Sequence, residues 1–552
     1  MSIVVQGKGK LNKQSGIKDY KMEIAVVILY TVLHVLLCLF HEGCFDEVHA
    51  WNIAKDGCLF DIIFKVPHTE GHPALWHLLL VPFAKAGLPY KLSALIVTTF
   101  FSTIMVSVLE FKAPFFKLIK CLLPFSYFFF YQYGVIARPY CMMMPALLLL
   151  ASLYKERDKK PVRYTLALVF LSATSAFGTA LAGGMAAVWL WKIIIEYVKK
   201  ENDISISLTS PKNKSIFKNI RIYCLIALLV YALFLLVRVL PLNPYGGMSY
   251  VGVRQNGILV RCLYLFFGLF SDLCFTNSYT HDFLADFHFD RFELITTCFI
   301  GAIILLAIFY LGKKIKNLLE FIIPYISLST FSALVYFGVH NSGILFIFLI
   351  YWLWISWDRI LELLDSKDTK NKNRKMNINP GIVGVVFLLL PLFWSVSASV
   401  TDIKYTYSFG EKEAEFLKEN GLDDKGICFE WKTVRDESKI GTLEYYDMKH
   451  IINMDRLYAY MDNPNFLNWP FDYSLYTFFH EAVTDEENKQ IIENLMANPK
   501  PDVLIGDPDL TMLNGLDYEV VKEYQLVYID EIVKPWKSLS FKDITRISVR
   551  RE

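Results

Sequence analysis

Asp46 and Glu47 are neighbours in the stretch Phe45-Asp46-Glu47-Val48-His49-Ala50-Trp51-Asn52-Ile53-Ala54-Lys55, directly after the first strongly apolar segment, Met22 to Phe40. Two adjacent carboxylates therefore stand where a helix leaves an apolar medium. Each charge there needs water, a cation or a proton. A carboxylate in a part-apolar site can have its pKa raised toward neutrality, which suits a general base. Valine, tryptophan, isoleucine and alanine interleave with the polar residues at roughly helical spacing, so the stretch reads as a short helix lying along an interface. The plain alternative is a solvated loop, or a helix start that Asp46 caps.

The same loop closes with Thr69-Glu70-Gly71-His72-Pro73-Ala74-Leu75-Trp76-His77. Glycine and proline favour a sharp re-entry, which fixes His72 at the rim, back toward the acid pair. A histidine satisfied by nearby backbone is the alternative. His49, His68, His72 and His77, with Asp46, Glu47 and Glu70, could hold a divalent cation, although no spacing matches a known metal signature. Further on, Ala137-Arg138-Pro139-Tyr140 puts an arginine at the top of an apolar hairpin. Its guanidinium fork suits a phosphate; snorkelling to lipid headgroups is the competing role. Val339-His340-Asn341-Ser342 is a fourth polar group at a helix turn, or a plain loop.

The elements that must position these residues are apolar. Of 552 residues, 54% are hydrophobic and 15% aromatic, and 20% are charged, against about 25% in soluble domains. The apolar residues come in blocks of near-membrane length, which predicts a polytopic α-helical membrane protein. A net charge of +2 carries no signature of nucleic-acid binding. Lys8, Lys10, Lys13, Lys18 and Lys21 precede the first span, and no small-residue cleavage site follows Phe40. Residues 1–21 therefore read as a cytoplasmic segment before an uncleaved helix. The ten cysteines are scattered without a C-x-x-C and read as small core residues. Cys44 and Cys58 share the first loop and could pair in an oxidising compartment.

Basic clusters mark cytoplasmic loops. They are Lys155 to Lys160, Lys199-Lys200 with Lys212, Lys214 and Lys218, Lys313-Lys314-Lys316, and Lys367 to Lys375. The candidate spans around them are Pro139–Tyr154, Arg163–Phe177, Ala180–Val198, Ile220–Leu240, Glu293–Leu311, Leu318–Val339, Ser342–Trp357 and Pro380–Val400. Alternating through them keeps every basic loop inside. It puts the loop at 41–72, the hairpin top at Tyr131–Tyr140 (between Cys121–Ala137 and Pro139–Tyr154) and everything after Val400 outside. Pro73–Leu88 and Leu92–Leu109 give one crossing too many between the first loop and Lys112, and Gly257–Asp272 reads as lying on the surface. The expected total is about eleven to thirteen spans over residues 22–400.

After Val400 the texture changes. Phe409 to Gly421 reads as an amphipathic helix stopped by glycine. Gly426–Trp431, Asp502–Asp507 and Ile544–Arg550 read as strands, and Glu486–Asn498 as another helix. Residues 401–552 thus form a small soluble α/β domain, of ordinary domain size. Trp431 and Trp469 there could stack on sugars, though single tryptophans usually serve the core.

An Asp-Glu just after the first span, a Gly-His-Pro opening the next segment and an Ala-Arg-x-Tyr between later spans together resemble integral-membrane glycosyltransferases of the GT-C fold. The resemblance is to the branch with protein O-mannosyltransferases and bacterial aminoarabinose transferases, and it is best over Met22 to about Lys200. It implies a GT-C-like membrane domain, a catalytic outer loop and an extracytoplasmic C-terminal domain in a multi-pass protein of the cell membrane. It implies that Asp46 is the loop acid, with Glu47 beside it, and that His72 and Arg138 lie near the donor phosphate; Tyr140 and His340 complete that candidate set. Unlike the aminoarabinose transferases, the chain has no acid at the turn around Arg138, which tells against a two-acid metal site there. The implied partners are a polyprenyl-phosphate-linked sugar, an acceptor glycan, lipid or protein, and membrane lipids, with no nucleic acid. The implied reaction inverts the anomeric carbon, with a divalent cation as the sole cofactor suggested. A transporter or flippase of lipid-linked sugars, and a non-enzymatic cell-envelope assembly protein, are the readings from other classes.

Overall fold

The computed structural model describes residues 20–204, 219–240, 258–275, 291–335, 337, 339–370, 380–405, 408–429, 456–462, 464–467, 501–506, 518–527 and 541–551. The expected helix Glu486–Asn498, and Trp431 and Trp469, lie outside the described residues. The chain begins with α1 (Lys21–Phe40), α2 (Phe45–Asp56), α3 (Leu59–Phe64), α4 (Val66–Glu70), α5 (Leu75–Lys85), α6 (Tyr90–Lys112) and α7 (Lys117–Leu122). A short 3-10 turn, Leu123–Phe125, and a wide π-helical segment, Phe128–Val135, lead to α8 (Tyr140–Leu153), α9 (Pro161–Thr174), α10 (Ala176–Ile204) and α11 (Ile220–Val239). Then follow α12 (Ile258–Leu263), α13 (Leu269–Phe275), α14 (Arg291–Lys314), α15 (Leu319–Leu334), α16 (Ser342–Lys370) and α17 (Pro380–Lys404).

Among the described residues, seven of these helices are long and apolar enough to cross a membrane: α1, α6, α10, α11, α14, α16 and α17. Twenty residues at about 1.5 Å each span roughly 30 Å, the thickness of a bilayer's hydrocarbon. Their outward faces expose Leu29, Leu229, Val230, Phe299 and Phe387. Apolar belts of that extent require lipid, not water. The chain is a polytopic helical membrane protein. Other expected spans are shorter helices here, including α5, α8, α9 and the 16-residue α15.

Two expected spans have a different shape. Cys121–Ala137 is not one helix. Pro124 lies in the 3-10 turn, Ser126 is extended, and the chain then widens into the π segment, whose every side chain is buried. The break between α9 and α10 falls at Ser175, which is extended; its Oγ accepts the Gly178 N–H at 3.0 Å. Glycine also sets how closely α10 approaches α15, because a Cβ on Gly184 would lie 2.5 Å from Pro324 Cα.

At the centre lies α8, buried along nearly its whole length and apolar all round, as a helix enclosed by others must be. It packs on α6, α9 and α16. Its ends face different polar clusters. At the Tyr140 end are α2, the π segment's exit and the start of α16. At the Leu153 end, Tyr154 Oη donates to Glu320 at 2.7 Å, and Arg221 binds Asp158 and Glu196 at 3.0 and 2.9 Å.

The C-terminal part has α18 (Gly410–Glu419) and a four-stranded sheet of β1 (Ile427–Phe429), β2 (Val503–Gly506), β3 (Tyr518–Val527) and β4 (Phe541–Arg550). The order is β1-β2-β4-β3, parallel only between β1 and β2. Ala414 and Leu417 of α18 close the core over Ile427, Phe429, Val503, Ile505 and Ile547. This unit is fastened to the first loop and to the start of α6. Lys91 binds Glu411 at 2.9 Å, Lys412 binds Glu42 at 2.8 Å, and Lys55 donates to the Met461 carbonyl at 3.1 Å.

Candidate functional site

The acid pair stands on the first turn of α2. Cys44, not Asp46, is the N-cap residue, with extended backbone. Glu47 occupies the third helical position and its Oε2 accepts the Cys44 N–H at 2.8 Å, which satisfies a backbone donor the helix start leaves open. The helix is buried from Val48 to Ala54 on all sides, so it is a plug within the protein and not a helix half in solvent.

The two acids have opposite surroundings. Glu47 is enclosed: its side chain has no exposure, Oε1 accepts the Ala137 N–H, and Oε2 lies 3.1 Å from His41 Nε2. The other His41 nitrogen, Nδ1, is 2.8 Å from Asp402 Oδ2, at the end of α17. Burial opposes a charge on His41, but the Asp402 and Glu47 carboxylates outweigh it and hold its pKa well above the usual imidazole range. The same ion pair, against the burial penalty, keeps Glu47 below the usual carboxylate range. Asp46 is 30% exposed, and its Oδ2 lies 3.3 Å from Arg138 Nη2. Arg138 Nη1 also donates to the Asp46 carbonyl at 2.9 Å. Burial disfavours the guanidinium charge; the Asp46 carboxylate reverses that and secures it.

His72 follows Gly71, whose left-handed backbone (φ 66°) turns the chain between α4 and α5. The imidazole meets Tyr140 edge to face, 6.4 Å between ring centres. Burial first, then the neighbouring Arg138, lowers its pKa to about 3, so at neutral pH it is an uncharged ring. Among the described residues its buried Nδ1 has no hydrogen-bond partner, and neither ring nitrogen of His77 has one. His49 Nε2 lies 3.2 Å from Glu70 Oε1. Burial would raise Glu70, but His49 prevails and holds it down at about 2. Tyr140 also faces His340, 6.0 Å between ring centres, and accepts from the Asn341 amide. Tyr133 Oη donates to the His340 carbonyl at 2.7 Å.

Asp46, His72, Arg138, Tyr140 and His340, drawn from four separate segments, thus adjoin one another at one end of α8. Glu47 is adjacent in sequence but faces inward. Sequence reasoning missed His41 and Asp402; the available signal was their position, one at the exit of the first apolar span and one at the exit of the last. Among the described residues, no three His, Cys, Asp or Glu side chains are arranged to hold a metal ion. Cys44 and Cys58 are not joined in a disulfide, and Cys58 Sγ donates to Asp61 instead. The arrangement offers one partly open carboxylate, one fixed guanidinium, and neutral imidazoles with unused nitrogens. It can take a proton, hold an anion and hydrogen-bond hydroxyls. No protein-family profile matches the chain, and no curated protein or solved structure is significantly similar to it.

Proposed function

We propose that the protein is a membrane glycosyltransferase of the GT-C type, moving a sugar from a polyprenyl-phosphate donor to an acceptor hydroxyl or amine at the outer membrane face. The observation that carries this reading is the Asp46–Arg138 pair, 3.3 Å apart, beside apolar helices of span length. A base and a phosphate-binding cation side by side are the two groups this transfer needs, and a prenyl chain would lie along the helices while its phosphate met the guanidinium.

Asp46 takes the proton of the acceptor hydroxyl as the acceptor oxygen bonds to the anomeric carbon. The bond from that carbon to the phosphate oxygen breaks, its electron pair stays on the phosphate, and the carbon inverts. Arg138 steadies the charge that builds there. His72, neutral with a buried free Nδ1, serves as a hydrogen-bonding group and not as a standing cation. Tyr140 and His340 form the wall behind it. The chemistry draws on no nucleotide site. The GT-C connectivity, the count of eleven to thirteen spans and the outward placement of site and C-terminal domain belong to this same proposal. The steps written here use no divalent cation, and His49 and Glu70 bind each other at 3.2 Å.

The test is binding of undecaprenyl phosphate, the product lipid, by thermal shift of the purified full-length protein in detergent. Wild type is stabilised. Arg138→Gln binds at least tenfold more weakly. Asp46→Asn binds as tightly as wild type or tighter, because Arg138 no longer has to exchange a carboxylate for the phosphate. A wild-type protein indifferent to the lipid overturns the reading.

A further inference from the structure

We propose that His41 and Asp402 are positioning residues that hold Arg138 in place beside Asp46, acting through Glu47. The imidazole sits between two carboxylates, with Nε2 3.1 Å from Glu47 and Nδ1 2.8 Å from Asp402. Neither carboxylate side chain has any exposure, and His41 has 6%. Two buried carboxylates that close to one ring repel each other unless one takes a proton or a positive charge stands between them, and the ring is placed to supply that charge. The free edge of Glu47 then takes the Ala137 N–H, and Ala137 is the residue before Arg138. An unbroken chain of polar contacts therefore runs from the end of the last membrane helix, through the first loop, to the hairpin that carries the guanidinium.

The Glu47 side chain is closed off from bulk solvent, so its partners are the protein groups around it. Tyr131 lies near Asp402, Tyr90 and Tyr460 near Glu47, and Cys38 near both; none of these is a cation. Lys91, which lines the same small cavity as His41 and Glu47, is held by Glu411 at 2.9 Å. The neighbouring residue strengthens the case for a joint here. Glu42 Oε2 accepts the Ser408 N–H at 3.2 Å and Glu42 Oε1 binds Lys412, so adjacent residues of the first loop grip both the last helix and the chain just beyond it. This deepens the proposed transfer reaction and rests on Arg138 serving the donor phosphate.

Hydrogen exchange of the full-length protein in detergent tests it, read at the peptide that covers Ala137. The variant is His41→Gln with Asp402→Asn, which removes the cation and one carboxylate together; Asp402→Asn alone is the fallback should the pair not fold. The expected result is exchange at least tenfold faster at Ala137 with α9 unchanged. Unchanged exchange at Ala137, or a rise everywhere including α9, overturns the proposal. Binding of undecaprenyl phosphate gives the second readout. The clasp variant binds about tenfold more weakly, and the same changes made in Arg138→Gln weaken binding no further; additive losses overturn a route through Arg138. If wild type ignores the lipid, the transfer reading fails, while the exchange result still decides the clasp.

Discussion

At the scale of single residues, neighbours of the same type do different work. Asp46 is a third exposed beside a guanidinium, whereas Glu47 has no exposure and three polar atoms around it, His41 Nε2 and the Cys44 and Ala137 N–H groups. Glu47→Gln leaves the buried His41 charge short of a partner, a change that costs about 3 kcal/mol or more. Asp46→Asn disturbs a less buried pair and keeps the Arg138 bond to the backbone carbonyl of residue 46, so it costs less than Glu47→Gln. Thermal melts in detergent check the contrast, and equal losses from the two variants would refute it. Acid sensitivity follows from Glu70. Its pKa lies at about 2 when folded, below the unfolded value of about 4.3. Its contribution is present above about pH 4.3 and is lost as pH falls toward 2. Glu70→Gln should therefore flatten the acid limb of a stability profile measured between pH 5 and 3; an unaltered limb counts against the His49–Glu70 pair.

At the scale of elements, the legible parts of the sequence were those fixed by local pattern. The amphipathic helix expected over Phe409–Gly421 is α18. The β-branched segments are β1, β2 and β4, with ends moved by a few residues. Among the described residues, seven of the apolar runs are span-length helices. What was not legible depends on contacts between distant segments. Interleaved polar and apolar residues in α2 look the same for a helix on an interface and for one buried all round, and only its neighbours decide. The break at Pro124 and Ser126 is a local signal, but apolar composition masked it. His41 and Asp402 lie 361 residues apart, so no spacing rule joins them. Packing between elements makes its own prediction. Gly184→Ala puts a methyl 2.5 Å from the Pro324 backbone, so α10 and α15 must separate, at a cost of about 1–3 kcal/mol. A melting temperature equal to wild type would show that this helix pair is not packed as described.

At the scale of the whole molecule, the polar chemistry divides between the two ends of the bundle. One end carries Asp46, Arg138 and the docked C-terminal unit. The other carries ion pairs such as Arg221 with Glu196 and the basic turn at 155–160. The proposed outer-face transfer requires that basic end in the cytoplasm, as a charge rule for membrane orientation predicts. Single cysteines placed at the exposed positions Asp424 and Lys159, in protein lacking the native exposed Cys58, check the sidedness. A membrane-impermeant maleimide added to intact cells should label position 424 and not 159; the reverse pattern would put the site on the wrong side for an outer-face transfer. The most direct measurement of the central claim is the glycan profile, by mass spectrometry, of cells lacking this protein and of the same cells given it back. The predicted result is loss of one sugar from an envelope acceptor, restored by wild type and not by equal amounts of membrane-inserted Asp46→Asn. Full restoration by Asp46→Asn, or an unchanged profile in the deletion, would contradict it.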